Sequence, residues 1–150
     1  MSLYIIFGLA NSSDILLTDL FFQPKICWKA VGRKLTFAIV DSGIFLTAPA
    51  SFISAGESNK YLLAFLCSAI GKYFIYKNSD TTGAGDIMLN IQSLIRFPIP
   101  KPKFSDRLII ESMIDHLSDN YNPMIQKAID STIFSLYGFD KKEIDVINDI

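Results

Sequence analysis

The chain has 150 residues and a mass of 16.8 kDa, half of its residues are hydrophobic, and its net charge is −1. A chain of this length buries roughly two-thirds of its unfolded surface, so it needs neither a disulfide nor a metal ion to fold. Its longest uncharged helical stretch, residues 61–71, is shorter than the roughly 18 to 20 residues of a spanning helix. We therefore predict no membrane partner. The N-terminus lacks the positive region of a secretory signal, which predicts a cytoplasmic location.

The small net charge hides two halves of opposite sign. Residues 1–103 hold ten Lys or Arg against six Asp or Glu, whereas residues 104–150 hold four against nine. The sign changes just after a run of alternating prolines. We predict a basic α+β domain over residues 1–103 and an acidic helical segment over residues 104–150.

Period-two alternation indicates strands in the basic half. Residues 4–20 predict a strand, a turn and a further short element. The segments "KICWKA" (25–30), "LTFAIV" (35–40) and "IFLTA" (44–48) each alternate in hydrophobicity, which predicts a strand meander with Gly-centred turns that ends at Pro49.

After the meander the period changes to that of a helix. Residues 58–76 predict one amphipathic helix, with Ser58 or Asn59 as its N-cap. Residues 78–86, "NSDTTGAGD", predict an exposed flexible loop, because no apolar side chain larger than alanine occurs there. A short strand, "IMLNI", follows at residues 87–91.

Three prolines at alternate positions close the basic half. Pro98, Pro100 and Pro102 each lack a backbone N–H, so they predict an extended segment that stops the sheet and delays the next helix. Their spacing lacks the Pro-x-x-P pattern that aromatic-lined grooves bind, which makes a ligand role for this segment a poor interpretation.

The remainder predicts helices. One stripe is formed by Leu108, Ile109, Met113, Ile114 and Leu117. A second helix has Asn122 as N-cap, Pro123 at its first position and Gly138 past its end, and a third opens with the capping-box pair Asp140 and Glu143. The predicted fold class is therefore α+β, with a mixed or antiparallel sheet, a packed helix and a C-terminal helical segment.

Catalytic and metal-binding motifs are absent from the sequence. His116 is the only histidine and Cys27 and Cys67 are the only cysteines, which predicts no metal site and no disulfide framework. The Gly-x-Gly of residues 83–85 follows a helix, whereas phosphate-binding glycine loops follow a strand. We predict no catalytic, metal-binding or cofactor-binding residue in this chain.

Cations interleaved with aromatic and amide side chains are the remaining candidates for a site. Lysine and arginine suit DNA phosphates, and polar loop side chains suit base edges. The candidate DNA-binding residues are Lys25, Trp28, Lys29, Arg33, Lys34, Lys72, Tyr76, Lys77, Asn78, Ser79, Thr81 and Thr82. The alternative interpretation is an ordinary solvated face with core aromatics.

Five short motifs occur in a characteristic order. They are Pro24–Trp28, Tyr61–Ser68, Gly83–Asp86, Phe97–Pro100 and Leu136–Ile144. From about Phe22 onward the chain resembles the TaqI-like C-terminal specificity domain, the target-recognition part of adenine-specific methyltransferases and of fused type II restriction-modification enzymes. The resemblance implies that double-stranded DNA is a partner. It also implies a methyltransferase or nuclease domain of the same parent protein, with S-adenosylmethionine as the cofactor of that domain.

The departure from the family pattern leaves several interpretations open. The methyltransferase domain is absent from this sequence, so we expect either a gene remnant or the C-terminal part of a longer enzyme. The acidic helices also fit a protein-interaction or regulatory module without DNA binding. Two further interpretations are half of a type I specificity subunit and a small enzyme in its own right.

Overall fold

A computed structural model describes residues 21–119 and 121–149. Within them lie two antiparallel sheets and six α-helices, so the predicted α+β class with C-terminal helices is confirmed. The elements predicted for residues 4–20 lie outside the described residues. The chain forms two compact units, which we call the sheet unit and the helical unit. The described residues of the sheet unit are 21–59 and 79–96, and those of the helical unit are 60–78, 97–119 and 121–149.

The elements have the following bounds. The strands are β1 (Lys25–Lys29), β2 (Val31–Gly32), β3 (Phe37–Val40), β4 (Ala50–Ile53), β5 (Asp80–Thr81) and β6 (Ile87–Met88). The helices are α1 (Asn59–Cys67), α2 (Ala69–Asn78), α3 (Ile91–Leu94), α4 (Phe104–Asp119), α5 (Pro123–Tyr137) and α6 (Lys141–Asn148), and a 3-10 turn at Gly56–Ser58 precedes α1.

The first sheet has the order β3-β1-β4, with β1 in the centre. The predicted return strand at residues 44–48 is wrong, because the strand that pairs with β1 is β4, beyond Pro49. Ile26 of β1 faces Ile53 of β4 in the register, and both side chains are buried. Phe45, by contrast, is 64% exposed. Residues 44–48 share the alternation of a strand but bury too little apolar surface to pair.

The chain crosses from the first sheet to the second at Ala30. The Ala30 N–H donates to the carbonyl of Pro49 at 3.0 Å, and the Ala30 carbonyl accepts from the Leu89 N–H at 2.9 Å. Beyond Ala30, β2 joins the second sheet, whose order is β2-β6-β5. The Trp28 indole N–H donates to the carbonyl of Leu89 at 3.2 Å, which holds the end of β6 against the buried indole ring.

In the helical unit, the single helix predicted over residues 58–76 is divided at Ser68. The Ser68 hydroxyl donates to the carbonyl of Phe65 at 2.7 Å and accepts from the Gly71 N–H at 3.2 Å. The Asp130 carboxylate of α5 accepts from the Ala69 N–H at 2.8 Å and so caps the start of α2. Of the two predicted N-cap residues, Asn59 is the first residue of α1, and its side-chain oxygen accepts from the Ala55 N–H at 2.7 Å.

The proline segment is fixed to the helices of this unit through its carbonyl groups. The Tyr61 hydroxyl donates to Pro100 O at 3.1 Å, and the Tyr137 hydroxyl donates to Pro98 O at 3.0 Å. Phe97 is buried and its ring stacks on that of Phe74 at 4.7 Å. Burial raises the pKa of Tyr61 to about 12, so this phenol remains a donor at neutral pH.

We expect Tyr61→Phe to lower the free energy of unfolding by about 1 kcal/mol, since it leaves the buried Pro100 carbonyl without its donor. Tyr137→Phe should lower it by less, because the Tyr137–Pro98 bond is exposed and water can replace the lost donor. Chemical denaturation of the single and double variants measures this loss. Because the two hydroxyls act on one segment, the double variant should depart from the sum of the single variants. Single variants as stable as the wild type would contradict this role.

The C-terminal helices begin and end as their cap residues predict. Asn122 accepts from the Met124 N–H, Gly138 has a left-handed φ of +71°, and Asp140 and Glu143 form a capping box. The stripe predicted on α4 is partly wrong. Ile110 and Ile114 are the buried residues of α4, whereas Leu108 and Ile109 are about half exposed.

Candidate nucleic-acid interface

Strands β5 and β6 form a hairpin where a flexible loop was predicted. The Thr82 N–H donates to the Asp86 carbonyl at 2.8 Å, and the Gly85 N–H donates to the Thr82 carbonyl at 2.9 Å. Gly85 has a φ of +82°, as expected for a three-residue hairpin loop that ends in a left-handed residue. Residues 83–85 therefore form the ordered tip of the β5–β6 hairpin.

Arg33 lies beside this hairpin because β2 pairs with β6. Gly32 of β2 faces Ile87 of β6 in the antiparallel register. Arg33 follows Gly32 and Asp86 precedes Ile87, so these two residues are the next pair beyond the strands. The Arg33 Nε atom lies 3.6 Å from Asp86 Oδ1, and the Arg33 side chain is 82% exposed. An exposed guanidinium thus lies next to the tip of the hairpin, with the Asp86 carboxylate facing it.

Three of the predicted cations of the sheet unit are exposed. Lys29 ends β1, and Arg33 and Lys34 occupy the turn between β2 and β3. Thr81, in β5, is also exposed. We call Arg33, Lys34, Thr81, Asp86 and residues 83–85 the hairpin surface. It combines two exposed cations with the exposed loop of the hairpin.

Two predicted contact residues are core residues instead. Lys25 has no exposed surface, and its Nζ donates to the carbonyls of Phe21 at 3.1 Å and Gln23 at 3.2 Å. Trp28 is 2% exposed and packs against Phe37 with ring centroids 5.8 Å apart. Both side chains are buried, so we remove both from the candidate DNA-binding residues.

The polar side chains that were predicted to read bases differ in availability. The Thr82 hydroxyl accepts from the Asp86 N–H at 3.0 Å, so it supports the hairpin. The Ser79 hydroxyl oxygen is buried and has no hydrogen-bond partner among the described residues. Thr81 alone of these three is exposed. Of the threonines and serine in this segment, Thr81 is therefore the best placed for a base contact.

The helical unit carries the other four predicted residues. Lys72, Tyr76, Lys77 and Asn78 are all exposed on α2. Lys77 Nζ lies 5.7 Å from the ring centre of Tyr73 and 6.0 Å from that of Tyr76. The Asn78 side-chain amide donates to the Phe74 carbonyl at 2.8 Å. Tyr76, Lys77 and Asn78 lie at the C-terminal end of α2, and Lys72 lies one turn before Tyr76. Together these residues form a second basic and aromatic patch.

Asp86 is the residue of the hairpin surface that the sequence interpretation missed. The sequence did contain a signal, because two short runs separated by a Gly-containing segment are typical of a hairpin. Once residues 80–88 are taken as a hairpin, Asp86 occupies a fixed position beside its three-residue loop. Its pairing with Arg33, however, depends on the register between β2 and β6.

Metal-binding groups, thiols and membrane-spanning helices also bear on function in the part of the chain that the structure describes. No group of three or more His, Cys, Asp or Glu side chains is placed to hold a metal ion there. Cys27 and Cys67 are free thiols, and burial raises the pKa of Cys67 to about 11. Within the same residues, no helix has both the length and the apolar character to cross a membrane.

Comparison with known families assigns the chain. The family model described as the TaqI-like C-terminal specificity domain matches residues 2–99. The chain belongs to this family. The TaqI-like domain is a specificity domain of restriction-modification enzymes. Comparison with curated proteins gives no match.

The match to the TaqI-like domain covers the hairpin surface and both sheets. It also includes α1 and α2, and it ends within the proline segment. Helices α4 to α6 lie beyond the matched residues. The hairpin surface and the patch on α2 therefore both belong to the specificity domain, which makes both of them candidates for its contact with a target.

Proposed function

We propose that this chain is the DNA target-recognition module of an adenine-specific DNA methyltransferase from a restriction-modification system, with or without a fused endonuclease. Membership in the specificity-domain family is the observation that carries the proposal. Duplex DNA is the partner, and the setting is the cytoplasm. S-adenosylmethionine and the methyl transfer belong to a methyltransferase domain of the parent protein, so this chain itself is non-catalytic.

The exposed cations of the sheet unit support a role in binding the phosphate backbone. Lys29 and Lys34 project into solvent at the end of β1 and in the turn after β2. Lysine acts as a compact point charge that a phosphate oxygen contacts without a strict geometry. We assign Lys29 and Lys34 to phosphates and the β5–β6 hairpin to the groove.

Binding of a short labelled duplex, followed by fluorescence anisotropy at several salt concentrations, tests this function. We expect weak binding, roughly 0.1 mM to 1 µM at physiological salt, that falls steeply between about 50 and 200 mM salt. Lys34→Gln should weaken binding to every duplex and reduce the slope of log K against log salt by about 0.9, because one phosphate contact is lost.

Lys127→Gln is the matched control, because Lys127 is an exposed lysine of α5, outside the matched residues. This variant should bind DNA as the wild type does. Failure of the wild type to bind any duplex at low salt would refute the proposed function. Equal effects of the two variants would refute the assignment of Lys34.

A second candidate function, a protein-interaction module, is favoured by one face of α4. Phe104 is 78% exposed there, and Leu108 and Ile109 are about half exposed. Such side chains on one helix suit a protein partner. This candidate predicts no DNA binding at low salt and a stable complex or dimer that Leu108→Asp disrupts, as measured by size-exclusion chromatography with light scattering.

A further inference from the structure

We propose that Arg33 and Asp86 together read one G·C base pair in the major groove. The inference rests on the proposed function, because it assigns a base specificity to the same surface. The major groove of B-DNA presents a distinct pattern of donors and acceptors for each base pair, and the exposed loop of the β5–β6 hairpin, residues 83–85, lies at one end of the three-stranded sheet β2-β6-β5. Arg33 and Asp86 lie side by side next to this loop.

The two side chains offer complementary hydrogen-bonding groups. Arginine donates to the O6 and N7 atoms of guanine, and a carboxylate accepts from the N4 amino group of cytosine. Arg33 faces Asp86 through Nε, and within the described residues no hydrogen bond occupies its two terminal nitrogens. These nitrogens form the flat edge that a guanine requires, while the nearby carboxylate supplies the acceptor for the paired cytosine.

The hairpin holds Asp86 in place. The Asp86 N–H donates to the Thr82 hydroxyl at 3.0 Å, and the Asp86 carbonyl accepts from the Thr82 N–H at 2.8 Å. Both backbone groups of Asp86 are thus fixed, and its side chain remains 32% exposed. A reading group has to be fixed in this way, because a misplaced acceptor does not distinguish one base edge from another.

The negative charge of Asp86 favours contact of this pair with base edges over contact with phosphates. A carboxylate beside the phosphate backbone is repelled, whereas the major-groove edge of cytosine presents a donor. The nearby Arg33 offsets part of the Asp86 charge and so lowers the cost of bringing a carboxylate into the groove.

Enrichment of duplexes from a random-sequence pool tests the inference with the full chain. We compare the wild type with Arg33→Lys, which loses the bidentate fork, and with Asp86→Asn, which loses the charge and half of the acceptor capacity. Arg96→Lys and Asp41→Asn are matched controls, because both side chains are exposed outside the hairpin surface. Circular dichroism checks that each variant folds. We expect Asp86→Asn to keep the hairpin, because the two hydrogen bonds of Asp86 to Thr82 involve its backbone and not its carboxylate.

The wild type and both controls should enrich a motif with one position fixed as G·C. At that position alone, Arg33→Lys and Asp86→Asn should each reduce the preference for G·C by about tenfold. A wild type that binds no duplex at low salt would overturn the proposed function and the inference with it. A wild type that binds duplexes without base preference, or variants that keep the wild-type preference, would overturn the inference alone.

Discussion

Replacing Gly71 by alanine is expected to lower the free energy of unfolding by on the order of 3 kcal/mol, because the added methyl group has no space. A Cβ atom built at Gly71 lies 2.0 Å from the Phe65 carbonyl oxygen and 2.9 Å from that of Leu66. Both atoms belong to the backbone of α1, so relief requires that the two helices move apart. The sharp passage from α1 to α2 at Ser68 therefore depends on glycine.

Urea denaturation measures the stability of the Gly71→Ala variant. Gly83→Ala is the matched control, because a Cβ atom at Gly83 meets nothing within 4 Å and Gly83 has no positive φ. We expect the control to stay within about 0.5 kcal/mol of the wild type. A Gly71→Ala variant as stable as this control would show that α1 and α2 separate without cost.

The break between α1 and α2 could not be predicted from the sequence. Hydrophobic periodicity runs without interruption through residues 58–76, since Leu66 and Ile70 both face the core. The periodicity correctly predicts helix and the buried stripe. It does not reveal the break, because the group that caps the start of α2 is Asp130, far along the chain.

The strands show the same limit: local pattern predicts a strand, but distant contacts decide which strand pairs with it. Alternation predicts β1 and β3 because their pattern is local. It does not decide whether residues 44–48 or residues 50–53 pair with β1. Residues 50–53 form β4 because Ile53 is buried in register with Ile26. Local caps, by contrast, are predictable to the residue. Asn122 and Gly138 act through neighbouring backbone groups, and the structure places both as predicted.

The candidate site divides in the same way between local and distant causes. Exposure of Arg33 and Lys34 follows from their place in a turn. Burial of Lys25 does not follow from its sequence neighbours, because it depends on how the chain before β1 brings the Phe21 and Gln23 carbonyls to its ammonium group. Asp86 joins the site only through the register of β2 and β6.

The Asp130 carboxylate is expected to contribute as a helix cap and not through its charge. In Asp130→Ala the Ala69 N–H loses its acceptor at the start of α2, so we expect a loss of about 1 to 2 kcal/mol in the free energy of unfolding. In Asp130→Asn the amide oxygen still accepts this bond. Chemical denaturation of both variants at neutral pH should therefore rank Asp130→Asn above Asp130→Ala.

The pH dependence separates the two roles further. Burial raises the pKa of Asp130 above its ordinary value of 3.8, against the opposing effects of the Ala69 and Gln126 hydrogen bonds and of Lys72. The folded chain therefore keeps this proton to a higher pH than the unfolded chain does. The stability that protonation contributes is complete below 3.8 and is lost as the pH rises through the folded pKa.

Asparagine has no proton to lose, so the stability of Asp130→Asn relative to the wild type should increase as the pH rises through this window. Thermal unfolding of both proteins from acid to neutral pH measures the difference. A difference that is constant with pH would mean that the carboxylate titrates alike in the folded and unfolded chains. If the stability of Asp130→Asn relative to the wild type instead decreased as the pH rises, the cap would act through its negative charge at the N-terminus of α2.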